Sequence, residues 1–215
     1  MARPRIVGET KLAIKEREPP RAEALRPHPW LTEDSLSAFE ASLSSGMPFG
    51  LYLSDKAEHK IRSHAMKEAP RRLEVMGFLL GDVRSWRGST YAVVRDVGTT
   101  GLRSSVSKVK FDPEGLPSLF HQLDVSGFDY VLVGWYHSHP GHTCFLSRTD
   151  LVTQRSMFNE PYHVALVIDP VNRDLKTFRL AGDGYAEMPF ALFEDEPVDA
   201  RKRPRRRKLK VTPAT

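Results

Sequence analysis

The chain has 215 residues and a formal net charge of +5, with 40% hydrophobic and 27% charged residues, a composition typical of one soluble globular domain with flexible ends. No apolar run approaches the roughly 18 residues that span a bilayer, and the charged N-terminal residues lack the apolar centre of a secretion signal. Because the single cysteine cannot form an internal disulfide, we expect a cytoplasmic protein that does not enter a membrane.

Residues 1–30 hold many charges and prolines without a lasting period, which predicts a flexible N-terminal segment. Beyond it, helical and strand periods alternate. The elements predicted up to residue 97 are a helix over 32–45 capped by Thr32, a strand over 49–55, a helix from Asp55 to about Lys67 that Pro70 ends, and strands over 73–83 and 91–97.

The polar segment 98–110 predicts a loop or hairpin. The elements predicted beyond it are a helix from Pro113 to about Gly127, a strand over 130–138, a helix from Ser147 to about Phe158, and strands over 162–170 and 176–182. This alternation predicts an α/β fold in which helices sandwich one mixed sheet, with the folded domain over residues 31–195.

The positive charge is concentrated at one end of the chain. Residues 201–210, RKRPRRRKLK, carry eight basic side chains and no acidic ones, so the rest of the chain is slightly acidic. We predict a disordered basic tail over 196–215 that either keeps the protein soluble or makes weak contact with nucleic acid or an acidic partner. In a cell with a nucleus, the tail is also a candidate targeting signal.

The segment GWYHSHPGHTCFLSRTD, 134–150, contains the candidate metal-binding residues. His137 and His139 end a predicted strand, where residues i and i+2 point the same way. Ser147 is a natural N-cap, and Asp150 occupies position N3 of the helix that follows. Two imidazoles and one carboxylate make a three-ligand zinc site whose fourth position stays open for water, as in catalytic rather than structural sites.

A catalytic water needs a base, and Glu74 is the candidate. It opens the apolar strand LEVMGFLLG, where a carboxylate is costly unless it has a partner. A carboxylate within hydrogen-bond reach of the water can take its proton and pass it to a leaving amine.

These motifs resemble those of the JAMM (MPN-plus) metalloproteases, most of all the proteasome-lid deubiquitinating members and their archaeal relatives. HSHP followed at the family spacing by SRTD matches the JAMM motif, and EVMGFLLG resembles the family's upstream glutamate segment. VIDP and TFRL extend the likeness, which covers about residues 50–195. The resemblance implies an MPN domain with one Zn²⁺ per chain, acting on ubiquitin or ubiquitin-like conjugates or precursors.

The resemblance also implies a role for each matching residue. His137, His139 and Asp150 would bind zinc. Glu74 would act as general base and then general acid. Ser147 would donate a hydrogen bond to the developing oxyanion.

The same resemblance places substrate contacts around the site. The loop 98–110 falls where the family has an insertion that holds the extended tail of the substrate, and a tail added as a strand would gain main-chain hydrogen bonds. We predict substrate contacts at Met76, Val106 and Trp135. Since the chain ends soon after the predicted domain, a freestanding enzyme or a simple proteasome-like assembly is favoured over a fixed lid subunit.

Cys144 and His142 leave other interpretations open. Cys144 is predicted to be a small buried packing residue. The alternative is that Cys144 is a nucleophile and His142 is its base. His142 stands where lid-type relatives usually carry an aromatic residue, so it either tunes the site or has no role in it.

Other functions also stay open. The alternatives are a zinc hydrolase of the same family that acts on a sulfur-carrier protein or a small-molecule amide, a scaffold without activity, and a nucleic-acid-binding protein driven by the tail. The presence of all five motif residues argues against a scaffold, and the P-C-x-x-C ligand pair of a zinc deaminase is absent.

Overall fold

The computed structural model describes residues 14–99 and 131–195. Its helices are α1 (Glu33–Ser45), α2 (Asp55–Glu68) and α3 (Arg148–Met157), with 3₁₀ turns at Ala22–Ala24 and Ala69–Arg71. Its strands are β1 (Lys15–Glu16), β2 (Leu25–Arg26), β3 (Leu51–Ser54), β4 (Met76–Trp86), β5 (Ser89–Gly98), β6 (Val131–Ser138), β7 (Val164–Asp169), β8 (Asp174–Ala181), β9 (Gly184–Met188) and β10 (Phe190–Phe193).

In these ranges the strands form one sheet in the order β2-β10-β3-β5-β4-β6-β7-β8-β9, and β1 adds beside β4. The pairs β1/β4, β3/β10, β3/β5 and β6/β7 are parallel, whereas the other neighbours are antiparallel. This confirms the predicted α/β fold with a mixed sheet. No helix in the described ranges is both long and apolar enough to cross a bilayer.

Side-chain caps set where the helices begin. The Thr32 hydroxyl accepts the Ser35 N–H at the start of α1, and the Ser54 hydroxyl accepts the Ala57 N–H at the start of α2. Both bonds satisfy backbone donors that a helix leaves without an internal partner. Pro70 lies in the 3₁₀ turn that follows α2, as its missing N–H predicts.

The alternation of side chains along β6 gives the sheet two different faces. Tyr136 packs with α2 on one face, whereas Trp135 packs with Phe158, at the end of α3, on the other. Each large side chain buried in this way stabilises the fold by about 1.5–3 kcal/mol.

Gly77 of β4 is required by this packing. A Cβ at this position would lie 2.5 Å from Cε1 of Tyr136 and 2.7 Å from the carbonyl oxygen of Gly98. The glycine of the EVMGFLLG motif therefore lets the ring of Tyr136 lie across the neighbouring strand, where its hydroxyl is 2.9 Å from Nδ1 of His64 on α2.

The structure departs from the sequence-based expectation for residues 14–30. The strands β1 and β2 pair with β4 and β10, and His28 is buried, with Nε2 3.0 Å from Oε1 of Glu58. These residues are anchored to the domain because a few specific contacts compensate for their polar composition. Residues 1–13 lie outside the described ranges.

Two further differences concern strands. Glu74 was expected to open a strand over 73–83, but β4 begins at Met76, so Glu74 precedes it. β9 and β10 were not predicted. The helix expected over 113–127 lies outside the described residues, as do the tail 196–215 and the loop 98–110 beyond residue 99.

Candidate metal centre

His137 lies near the end of β6 and His139 directly follows the strand, and their side chains lie together, as their spacing predicts. Their rings lie 4.6 Å apart between centroids, and their Nε2 atoms are 3.0 Å apart. Both side chains are buried, with relative exposures of 2% and 5%. The end of β6 therefore presents two imidazole nitrogens to one point.

Asp150 reaches the same point from the first turn of α3. Its Oδ2 lies 3.5 Å from Nε2 of His137 and 3.6 Å from Nε2 of His139. A capping box fixes the turn, since the Ser147 hydroxyl accepts the Asp150 N–H and Oδ2 of Asp150 accepts the Ser147 N–H at 2.7 Å. The helix start thus orients the carboxylate towards the histidines.

Aromatic rings pack against the ring of His137. The ring of Trp135 lies 4.5 Å from that of His137 at an interplanar angle of 11°, and Phe158 also stacks on Trp135, at 5.9 Å and 17°. Nε1 of Trp135 donates to Oε1 of Gln154 at 2.6 Å, and Nε2 of Gln154 donates to the carbonyl of Phe158. Sequence reasoning missed Gln154, because nothing in its local pattern indicates this long-range bond.

His139 is oriented by the loop that follows it. Its Nδ1 lies 3.3 Å from the carbonyl oxygen of Thr143. A carbonyl only accepts, so Nδ1 carries the hydrogen and the lone pair of a neutral ring remains on Nε2. This tautomer is the one that a metal-binding histidine needs.

The three side chains fit a zinc ion. For ligands about 2.0–2.2 Å from a tetrahedral centre, neighbouring ligand atoms lie about 3.3–3.6 Å apart. The separations of 3.0, 3.5 and 3.6 Å between the Nε2 atoms and Oδ2 are close to that range. Two neutral nitrogens and one carboxylate oxygen are also ligands that zinc prefers. In the described part of the chain, these residues form the only such group that could hold a metal ion.

The charge states agree with this donor set. Burial lowers the pKa of His137, which favours the neutral ring that can bind a metal. Burial alone would raise the pKa of Asp150, but hydrogen bonds with His137 and His139 outweigh it and hold that pKa well below its usual range. The centre therefore combines a His137 ring that favours its neutral form with an ionised Asp150 carboxylate.

Glu74 lies two residues before β4 and close enough to His139 for the two charges to interact. Met76 pairs with His137 in the β4/β6 register, and the same antiparallel pairing continued by two residues would place Glu74 opposite His139. Burial raises the pKa of Glu74, and the charges of His139, Asp150 and His142 influence that pKa too, as expected for a carboxyl beside the metal centre.

The other residues predicted for the site are spread around it. Trp135 is fully buried and Met76 is 2% exposed, so neither side chain offers exposed surface to a substrate. Their contacts with a substrate stay a prediction. Val106 lies outside the described ranges. Cys144 is buried, as predicted for a packing residue, and burial raises the pKa of its thiol well above the usual range, which disfavours a nucleophile.

The fold and the site together define a domain of the MPN (JAMM) class. A family model described as "JAB1/Mov34/MPN/PAD-1 ubiquitin protease" matches residues 51–160, which include Glu74 and the 137–150 motif. The chain belongs to this family, which confirms the resemblance seen in its sequence.

Curated relatives carry related names. The chain is 35% identical over 122 residues, 56% of its length, to the 26S proteasome non-ATPase regulatory subunit 14 of Dictyostelium discoideum. It is 33% identical over 145 residues, 62% of its length, to COP9 signalosome complex subunit 5 of Debaryomyces hansenii. It is 34% identical over 122 residues, 56% of its length, to ubiquitin carboxyl-terminal hydrolase RPN11 of Saccharomyces cerevisiae. The matches cover only 39%, 29% and 39% of these relatives.

Among solved structures, the chain is similar to the solution structure of protein DSY2949 from Desulfitobacterium hafniense. The TM-score is 0.52 at 24% identity, and the match covers 67% of this chain and 94% of that one. At this identity the likeness supports the fold alone.

Proposed function

We propose that the chain is a zinc-dependent peptidase or isopeptidase that removes ubiquitin or a ubiquitin-like protein from conjugates or precursors. The observation that carries the proposal is the convergence of His137, His139 and Asp150, whose ligand atoms lie 3.0–3.6 Å apart. The names of the relatives support the substrate class, since one of them is a ubiquitin carboxyl-terminal hydrolase.

One zinc ion per chain would be held by His137, His139 and Asp150. When bound, zinc lowers the pKa of a coordinated water to about 7 and polarises the carbonyl under attack. The chain's own contribution is to fix three ligands in a pocket where both histidines are buried and the Asp150 side chain is 15% exposed.

Glu74 is the proposed general base and acid. From its position close to His139 it accepts a proton from the attacking water and delivers that proton to the leaving amine. A pKa raised by burial suits both steps, because the carboxylate binds the proton more readily than an exposed glutamate would.

Ser147 is the proposed oxyanion donor. Its hydroxyl oxygen accepts the Asp150 N–H at 3.2 Å, which holds the side chain at the helix start and leaves the O–H hydrogen to donate. A donor of this kind contributes about 3–4 kcal/mol to transition-state stabilisation in other hydrolases.

The substrate and partner proposals rest on the family. An extended tail of the substrate would lie beside the metal centre, and the loop 98–110 with Val106 would hold it as an added strand. We assign the catalytic domain to residues 31–195 and propose a proteasome-like assembly as a partner. For the basic residues 201–210 we propose weak contact with an acidic surface.

The direct test is cleavage of the host's own ubiquitin-like protein fused through its C-terminal tail to a small reporter, read by intact mass. We expect cleavage after the last tail residue, loss of cleavage with a chelator, and recovery when zinc is added. A chain that binds zinc but leaves this fusion intact would contradict the substrate class. In that case a sulfur-carrier fusion and small amides are the next substrates to compare.

A further inference from the structure

Asp169, the last residue of β7, makes a set of contacts that the proposed mechanism does not use. The residue is fully buried. Its carboxylate accepts the N–H groups of Gly141 at 2.9 Å and Thr143 at 2.8 Å, both from the loop that joins the two halves of the metal-binding motif. Three further bonds come from the backbone of Val171 and from the backbone and side chain of Asn172.

Thr143 is held in a conformation that its side chain disfavours. Its φ is 63°, in the left-handed region that non-glycine residues seldom adopt. Such a conformation persists only where surrounding contacts compensate for its energetic cost. The bond from its N–H to Oδ2 of Asp169 supplies such a contact.

This conformation determines where the Thr143 carbonyl points. Its oxygen lies 3.3 Å from Nδ1 of His139, the bond that leaves the Nε2 lone pair for the metal. The backbone N–H of His139 donates to the carbonyl of Ile168, the residue before Asp169, at 3.0 Å. The end of β7 therefore positions both the backbone and the ring of His139.

We propose that Asp169 is a positioning residue for the metal centre: through the backbone of Thr143, its buried carboxylate fixes the tautomer and direction of the His139 ring. The proposal rests on the metal-binding role assigned to His139 above. The Thr143 carbonyl is the group that hydrogen-bonds to His139, and the loss of such a group typically weakens metal binding by about 10- to 100-fold.

The test is a zinc titration of the full chain, first freed of metal and then loaded in competition with a chromophoric chelator. In Asp169→Asn the amide nitrogen cannot accept one of the two loop N–H groups, so we expect the Kd for zinc to rise by about 10- to 100-fold. Asp82→Asn is the matched control. Asp82 also accepts hydrogen bonds, from Arg84 and Arg95, but it lies within β4, eight residues after Glu74 in the chain, and should leave the Kd unchanged.

A purely structural role would give a different result. If Asp169 were only structural, Asp169→Asn would lower the unfolding midpoint of the zinc-free protein, but its folded fraction would bind zinc as tightly as the wild type. That outcome would overturn the positioning role of Asp169 and leave the proposed function standing. A wild-type chain that bound no zinc would instead overturn the proposed function and this inference together.

A second measurement needs no variant and stays decisive if Asp169→Asn does not fold. Gly141 and Thr143 are solvent-exposed residues, yet their amide hydrogens should exchange slowly in the zinc-loaded wild type because a buried carboxylate holds them. Exchange at the rate of an unstructured peptide would show that Asp169 does not fix the loop, and would overturn the proposal.

Discussion

Val75 and Ser138 are joined by two hydrogen bonds. The Val75 N–H donates to the Ser138 hydroxyl at 2.9 Å, and the Ser138 N–H donates to the Val75 carbonyl at 2.8 Å. Val75 follows Glu74, and Ser138 stands between His137 and His139. This pair therefore fixes the proposed base against the strand that carries two proposed metal ligands.

The first prediction concerns this pair. Ser138→Ala leaves the buried N–H of Val75 without its acceptor, so we expect a loss of about 1–3 kcal/mol in the free energy of unfolding. We also expect kcat to fall while the zinc content stays at one per chain, because the change loosens Glu74 and not the metal ligands. Denaturant unfolding, metal analysis and steady-state kinetics measure the three quantities. Zinc loss that matches the loss of activity would contradict this division of roles.

The second prediction concerns Glu74 itself. Glu74→Gln keeps the size of the side chain but cannot take up a proton, so we expect cleavage of the fusion substrate to fall by about 10²- to 10⁴-fold. Zinc content should not change, since the glutamate is not among the three proposed ligands. Glu160→Gln, at an exposed site just beyond α3, is the matched control and should retain full activity. Turnover near the wild-type rate in Glu74→Gln would remove the base assignment.

The third prediction concerns Asp150. In Asp150→Asn a neutral amide replaces the ionised carboxylate that lies 3.5 Å and 3.6 Å from the two Nε2 atoms. Zinc affinity should fall by more than the roughly 10- to 100-fold typical of residues that only hydrogen-bond to ligands. The amide oxygen can still accept the Ser147 N–H, so α3 should stay folded by circular dichroism. Asp183→Asn, at the exposed β8–β9 turn, should bind zinc like the wild type.

Local rules predicted the geometry of the candidate metal centre better than the long-range contacts that support it. The direction of His137 and His139 follows from the two-residue period of a strand, and the position of Asp150 follows from capping at Ser147. These are short-range rules that the chain obeys within one segment.

Long-range bonds carry no such local signal. Gln154 supports Trp135 from a helix, and Asp169 holds a loop from another strand. The two-residue strands β1 and β2 are too short to show a period, so their pairing with the sheet could not be predicted. Glu74 was recognised by its motif, but its place before β4 depends on the hydrogen bonds of Val75.

The fourth prediction concerns the basic residues at the end of the chain. The residues proposed for metal binding and catalysis all lie between 74 and 150, and the segment 201–210 offers only charge. Deleting residues 200–215 should leave kcat and KM on a small fusion substrate unchanged. Binding to an acidic partner should weaken and lose its dependence on salt. Loss of cleavage in the deletion variant would show that the tail takes part in the reaction.

The fifth prediction concerns the pH dependence of stability. Burial alone would raise the pKa of Glu58, but hydrogen bonds from His28 and Arg62 outweigh it and lower that pKa to about 2. Because the folded pKa lies below the unfolded value, the stabilisation is fully present above about pH 4.5 and is lost as the pH falls towards 2. From the shift, the contribution at neutral pH is on the order of 3 kcal/mol.

Glu58→Gln measures this contribution. Unfolding of the zinc-free protein should show the variant to be less stable than the wild type at neutral pH, with a difference that shrinks steadily as the pH falls from about 4.5 towards 2. Because His28 belongs to the segment 14–30, the variant should also make that segment easier to cleave with a protease. A difference in stability that stayed constant down to pH 2 would mean that the ionised carboxylate of Glu58 does not hold this segment on α2.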